Sequence, residues 1–152
     1  SMAIRLANKL VCRAEKAATK ADSPVAAAEA ALGAVVSALS KQKRLARLLV
    51  TQGYSMGNAF EKKRTEIFER FASIIRSQLD AAVEAGEIDE LDTGLAARVW
   101  LGAVNEIVVH WLFSGGPSPS ETAPELKRLL VASIGAPITG AKPESGWKVV
   151  LE

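Results

Sequence analysis

The side chains able to do chemistry in this sequence are few and scattered. Glu106 and His110 stand one helical turn apart, the spacing of a two-ligand metal motif or an acid–base pair. His110 is the single histidine and Cys12 the single cysteine, so neither has a second residue of its kind to complete a metal site. A histidine on a helix surface or at a dimer edge is the plainer account. There is no nucleophile elbow, no phosphate-cradling glycine loop and no matched pair of carboxylates. The sequence predicts no catalytic residue, no metal and no cofactor, and the chain does not read as an enzyme.

Polar groups set among apolar ones carry more information. Gln78 falls within the apolar arc of a predicted long helix, where its amide needs a partner: a neighbouring helix, a water or a ligand oxygen. Asn105 sits in the middle of the most apolar stretch, where it can hold a bound molecule or bond across an interface, and Arg98 shares nearly the same face. Trp100, Trp111, Phe68 and Phe71 recur at helical spacing, which suits an aromatic-lined pocket and an ordinary core equally.

The elements that must position these residues are all helical. The 152 residues fit one domain, and 49% of them are hydrophobic, ample for a buried core. A net charge of only +2 provides no strong field for nucleic acid. Mean hydropathy is positive at +0.14 without any unbroken apolar run near the length of a membrane span, so apolar surface is expected to be hidden in an oligomer, with no membrane partner. One cysteine and the absence of an apolar leader pattern point to the cytoplasm. Ser1 before Met2 reads as a tag remnant, and Met2 as either a native start or a truncation point.

Periodicity predicts six helices. Leu6, Leu10, Ala14, Ala17 and Ala21 mark the apolar face of the first, opposite a basic row of Arg5, Lys9, Arg13, Lys16 and Lys20 that is best read as a solvated face. Ser23 and Pro24 open an Ala-rich second helix to about Ser40, and a short third helix through Leu45, Leu48 and Leu49 should stop at Gly53. Asn58 and Glu61 resemble a capping box ahead of the longest helix, which keeps its period to Gly86 with Phe68, Phe71, Ile75, Leu79 and Ala82 on one face. Asp92 can cap a fifth helix through Phe113 that is apolar on almost every side. Thr122 and Glu125 form a second capping box for the sixth, through Leu126, Leu129, Leu130 and Ile134. Residues 1–135 make one domain and 136–152 a loose tail. The predicted fold class is all-α.

Three stretches, Arg44 to Val50, Phe60 to Arg64 at the entry to a long helix, and Ala81 to Ile88, resemble in their order the C-terminal domain of TetR-type bacterial transcriptional regulators. The helix with Leu95-Ala96-Ala97, Gly102-Ala103-Val104-Asn105-Glu106 and Trp111-Leu112 is similar to that family's penultimate helix, and Leu126 to Ile134 resembles its last. The resemblance implies a bundle of about six helices in which the last two pair with their copies as a four-helix dimer interface. Trp111, Leu126, Leu129, Leu130 and Ile134 would then build a homodimer. It also implies an internal cavity for a small apolar or aromatic effector, placed by Phe68, Phe71, Ile75 and Gln78 on one helix and Trp100, Val104 and Asn105 on the next. DNA would be reached only through an N-terminal helix-turn-helix domain that this chain lacks. The rival reading is a helical-bundle homodimeric interaction module without a ligand, whose mark would be a filled interior.

Overall fold

The computed structural model describes the backbone of residues 2–50 and 57–136, and side chains within 4–47, at 59 and within 61–136. Six helices occur in these residues: α1 (Met2–Thr19), α2 (Pro24–Lys41), α3 (Lys43–Val50), α4 (Gly57–Glu84), α5 (Thr93–Ser114) and α6 (Pro119–Ser133). No strand occurs among the described residues.

Each helix boundary has a local chemical cause. Ser23 Oγ accepts from Ala26 N at 3.2 Å, and Pro24 occupies the first helical position of α2, where its missing N–H is no loss. Gly86, with φ +74°, closes α4 as the Glu87 N–H donates to Ala82 O at 2.9 Å. Asp92 Oδ1 accepts from Leu95 N at 3.0 Å to start α5, as its position in the sequence predicts. The start of α6 differs from expectation. Its cap is Ser118, reciprocated by Glu121, with Pro119 first in the helix, so Thr122 and Glu125 lie inside it. Thr122 instead turns its hydroxyl back to the carbonyl oxygen of Pro119 at 3.0 Å. Two Ser/Thr-x-x-Glu patterns follow one another in this segment; the helix starts at the first, with Pro119 at its first position, and carries Pro124 inside. The expected cap at Asn58 and the expected stop at Gly53 lie outside the described side chains and residues.

α2 organises the packing. It buries nine residues, Val25, Ala27, Ala28, Ala31, Leu32, Val35, Val36, Ala38 and Leu39, and it contacts every other helix, most extensively α1, α4 and α6. It is a helix long and apolar enough to cross a membrane by length and composition, although Glu29 breaks its apolar run; in this fold half of it is buried among its neighbours. On α1 the buried stripe is Ala7, Leu10, Val11, Ala14 and Ala18, turned from the predicted face because the alanines let α1 approach α2 closely. The basic row of Arg5, Lys9, Arg13, Lys16 and Lys20 is exposed. α4, about 42 Å long, turns Ile67, Phe71, Ala72, Ile75, Leu79 and Ala82 inward. α5 packs against it through Ala97, Trp100, Leu101, Val104 and Val108. Ala136 is buried just beyond Gly135; residues 137–152 lie outside the described part.

Trp100 is the largest fully buried side chain, and its indole N–H has no hydrogen-bond partner in the structure. Trp100→Ala is expected to cost ~3–5 kcal/mol in chemical denaturation at fixed protein concentration. Trp100→Phe keeps most of the volume and removes the unsatisfied donor, so its cost should fall to roughly 1–2 kcal/mol. Equal losses for the two would show that the indole N–H is not a liability.

A second strain sits where α2, α6 and the α4–α5 turn meet. Glu87 Oε1 accepts from Val25 N at 3.1 Å, and Lys127 lies so close to Gly33 that a Cβ there would come within 2.8 Å of its Nζ. Glu29 shares this corner, and its carboxyl is raised above the ordinary value of 4.5: burial and the Glu87 carboxylate raise it, burial most strongly, while Lys127 pulls it down. An acid with a raised folded-state pKa contributes stability that is present below its ordinary range and is lost as pH rises through the raised value. Glu29→Gln should therefore melt higher than the parent chain at neutral pH, with the two melting curves converging near pH 4, as read by circular dichroism across that range.

Candidate functional site

A cleft of about 430 Å³ opens between α4 and α5, lined by Arg64, Thr65, Phe68 and Glu69 on one wall and Arg98, Leu101, Gly102 and Asn105 on the other. Each set repeats at three- and four-residue steps, so each is one face of its helix. The volume lies in the range of small-molecule sites. Arg98 Nη2 reaches across to Glu69 Oε1 at 2.9 Å. Both residues also line a second groove, which continues between the same helices toward Arg76, Asp92 and Leu95. The ion pair thus straps the α4/α5 groove at its middle. On the α4 wall, the Arg64 guanidinium lies 5.3 Å from the Phe68 ring centroid, a cation–π contact, and Arg64 Nε contacts Glu61 Oε2 at 3.3 Å.

Behind this cleft lies a void of only about 20 Å³, bounded by Leu10 of α1, Val35 and Leu39 of α2, Ile67, Phe68 and Phe71 of α4, and Leu101, Val104 and Asn105 of α5. All of its lining is apolar except Asn105. Phe68, Leu101 and Asn105 border both spaces and form the wall between them.

Of the side chains the sequence singles out, Phe68, Phe71, Val104 and Asn105 come together here. Phe71 and Val104 are buried, while Phe68 and Asn105 are half-buried. Ile75 and Trp100 are core residues that line neither space. Gln78 is elsewhere: it borders a shallow groove against Glu15, Ala18 and Thr19 of α1, because one helical step past the inner stripe turns it away from α5. α3 contributes nothing to either space among the described residues. The sequence reading missed Arg64, Glu69, Leu101 and the α1 and α2 contributors. The signal for Arg64 and Leu101 was present, since Arg64 and Phe68 stand four apart, and Arg98, Leu101 and Asn105 are spaced by three and four.

The outer surface of α5 is apolar too. Leu95, Val99 and Phe113 are 59%, 50% and 56% exposed, and Leu129 of α6 is 61% exposed. Leu95, Val99, Gly102, Glu106 and Phe113 fall within about 60° of one another at 100° per residue, a single stripe. Of the α6 residues expected at a dimer face, Leu126, Leu130 and Ile134 are buried inside the subunit, α6 packing chiefly on α2, and Leu129 points outward. The physical reason is spacing. Residues 126, 130 and 134 form one stripe at four-residue steps, and Leu129 stands a full 100° from Leu130. Trp111 is half-buried under Lys43 of α3, whose Nζ is 5.1 Å from the ring.

Among the described residues no group of three or more His, Cys, Asp or Glu side chains is placed to hold a metal. The exposed His110 ring lies against Gly116 of the α5–α6 loop, close enough that a Cβ on that glycine would collide with it.

No curated protein sequence matches the chain. The family described as tetracyclin repressor-like, C-terminal domain, matches residues 21–134. Among solved structures, the transcriptional regulator FadR from Bacillus subtilis, in complex with stearoyl-CoA, superposes with a TM-score of 0.76 at 20% identity, over 88% of this chain and 73% of that one. The TetR family transcriptional regulator PfmR from Thermus thermophilus gives a TM-score of 0.70 at 26% identity, over 86% of this chain and 72% of that one. With the family match spanning α2 to α6 in the same order that carries the resemblance, the chain belongs to the tetracyclin repressor-like C-terminal domain family of TetR-type transcriptional regulators.

Proposed function

We propose that this domain senses a small apolar or aromatic effector in the α4/α5 cleft and forms a homodimer through the outer face of α5, modulating DNA binding by a helix-turn-helix segment carried ahead of α1 in a longer chain. The observation that carries the sensing role is the wall shared by cleft and void. An effector seated against Phe68 and Asn105 has only that layer between itself and residues of α1, α2, α4 and α5, so displacing it moves the contact between four helices at once. Regulators of this family act as dimers with small-molecule effectors and are generally not enzymes. FadR was solved with a long-chain acyl thioester, which makes such compounds a sensible part of a first panel.

One observation favours the rival reading of an assembly module without a ligand. A 20 Å³ void holds about one water, so the interior is closely packed unless Phe68 moves. Thermal shift separates the two readings. A panel of apolar and aromatic compounds should contain some that raise the melting temperature with the logarithm of their excess. Thr65→Trp, an exposed position on the cleft wall, should reduce that shift without changing the mass of the assembly. No shift across the panel would leave the assembly module.

For the dimer, the exposed apolar side chains of α5 and Leu129 are the surface a partner copy would cover. Val99→Glu puts a charge on that surface without touching the core. Light scattering should give the monomer mass for the variant and the dimer mass for the parent at micromolar concentration, with unchanged helical circular dichroism. A parent chain that scatters as a monomer would remove the interface.

A further inference from the structure

We propose that the effector is a neutral single-ring aromatic bearing one hydroxyl, a phenol, and that it binds by taking the place of the Phe68 ring in the interior; this rests on the sensor reading above. Phe68 is the gate. It is half-buried and borders both the cleft of about 430 Å³ and the void of about 20 Å³. The other residues that border both are Leu101, which is buried, and Asn105. A turn of the Phe68 side chain between its two helical rotamers puts its ring into the cleft, which has room for it, and joins the space it leaves to the void.

The vacated space dictates the size and chemistry of what fills it. It takes one six-membered ring, because that is what left, together with about one further heavy atom, because the void holds about one water. Its walls are apolar side chains of four helices, and Phe71 among them offers an aromatic face to an entering ring. The polar group on its boundary is the side-chain amide of Asn105, which makes no hydrogen bond among the described residues, and one hydroxyl on the ring answers it. Charge is disfavoured on both sides of the gate. In the cleft Arg64 is paired with Glu61 at 3.3 Å and Arg98 with Glu69 at 2.9 Å, so an ion of either sign finds its counterpart already matched. Past the gate an ion loses its water among apolar groups. A phenol, which ionises near a pH of about 10, enters neutral.

Titration of the full chain with phenol, toluene, cyclohexanol, benzoate and benzylamine, followed by amide NMR, reads affinity and location together. Phenol should bind tightest, toluene and cyclohexanol about tenfold more weakly, and the two ions weakest. Its shifts should centre on Leu10, Val35 and Leu39, behind the gate. Asn105→Leu should lower phenol affinity about tenfold, to the level of toluene, and leave toluene unchanged. Phe68→Ala, which holds the space open, should tighten phenol and toluene alike about tenfold, since the ring no longer has to be displaced. Phe68→Leu should act in the same direction and serves if circular dichroism shows the alanine variant unfolded. Shifts confined to Arg98 and Gly102 at the cleft surface overturn the interior site, and unchanged affinity in the Phe68 variants overturns the gate. Toluene as tight as phenol, with Asn105→Leu indifferent, overturns the hydroxyl; cyclohexanol equal to phenol overturns the aromatic ring; benzoate or benzylamine binding best overturns neutrality. If none of the five binds while larger compounds still raise the melting temperature, the single-ring effector falls and the sensor reading stands; if neither occurs, both fall.

Discussion

The constraint on which the rest depends is that α2 has no wet side wide enough to stand alone. Its nine buried residues cover half its circumference and the other positions from Ala26 to Ser40 are half-buried, and Ala27, Ala28, Ala31 and Ala38 let neighbouring helices settle on it at short distance. Once α1, α4 and α6 have covered it, two consequences follow. α6 spends its inner stripe of Leu126, Leu130 and Val131 on α2, which leaves α5 covered on one side only. α4, being far longer than α2, runs past it and must find further apolar cover, which α5 supplies.

The cleft is the place where that second packing is imperfect. Two helices of 28 and 22 residues bring large side chains to a common seam: Phe68 and Phe71 face Leu101 and Val104. At Gly102 the seam loses its bulk, since a Cβ there would meet nothing within 4 Å. The gap is bridged at the surface by Arg98 and Glu69 rather than filled by carbon. Charge at the rim and hydrocarbon beneath is what the sequence dictates when a polar face and an apolar face of each helix meet their counterparts at an angle.

The six-helix order, the Ser23 and Asp92 caps and the inward face of α4 were legible because each depends on residues within a turn or two of one another. Whatever depends on which neighbour lies across from a helix was not. Gln78 and Phe71 occupy adjacent angles in any helical projection, yet one meets α1 and the other α5. Leu129 and Leu130 are consecutive leucines of equal hydrophobicity, and only the position of α2 decides that the second is core and the first is surface. The mistaken start of α6 belongs to the same class in miniature. Ser118 and Thr122 head equivalent capping patterns, each with a proline in the following two residues, and the helix takes the earlier one.

α5 is the element on which the two halves of the proposed function meet. Its inner face carries Leu101, Val104 and Asn105 at the void, and about 120° round the helix from Asn105 its exposed stripe carries Val99. A helix is stiff across its own diameter, so a push on the backbone at Asn105 would be carried by the whole element. At its C-terminal end α5 is held by α3, through Lys43 over Trp111 and Arg47 5.7 Å from the Phe113 ring, contacts between charge and aromatic surface that tolerate sliding better than interdigitated core does. At its N-terminal end Thr93 Oγ1 donates to Asp80 of α4, which fixes that end to the long helix. With Val108 fully buried and Trp111 and Leu112 packed on the core between these two contacts, α5 is held along its length, so on the proposed reading a change at the cleft would reach its exposed stripe as a movement of one rigid element.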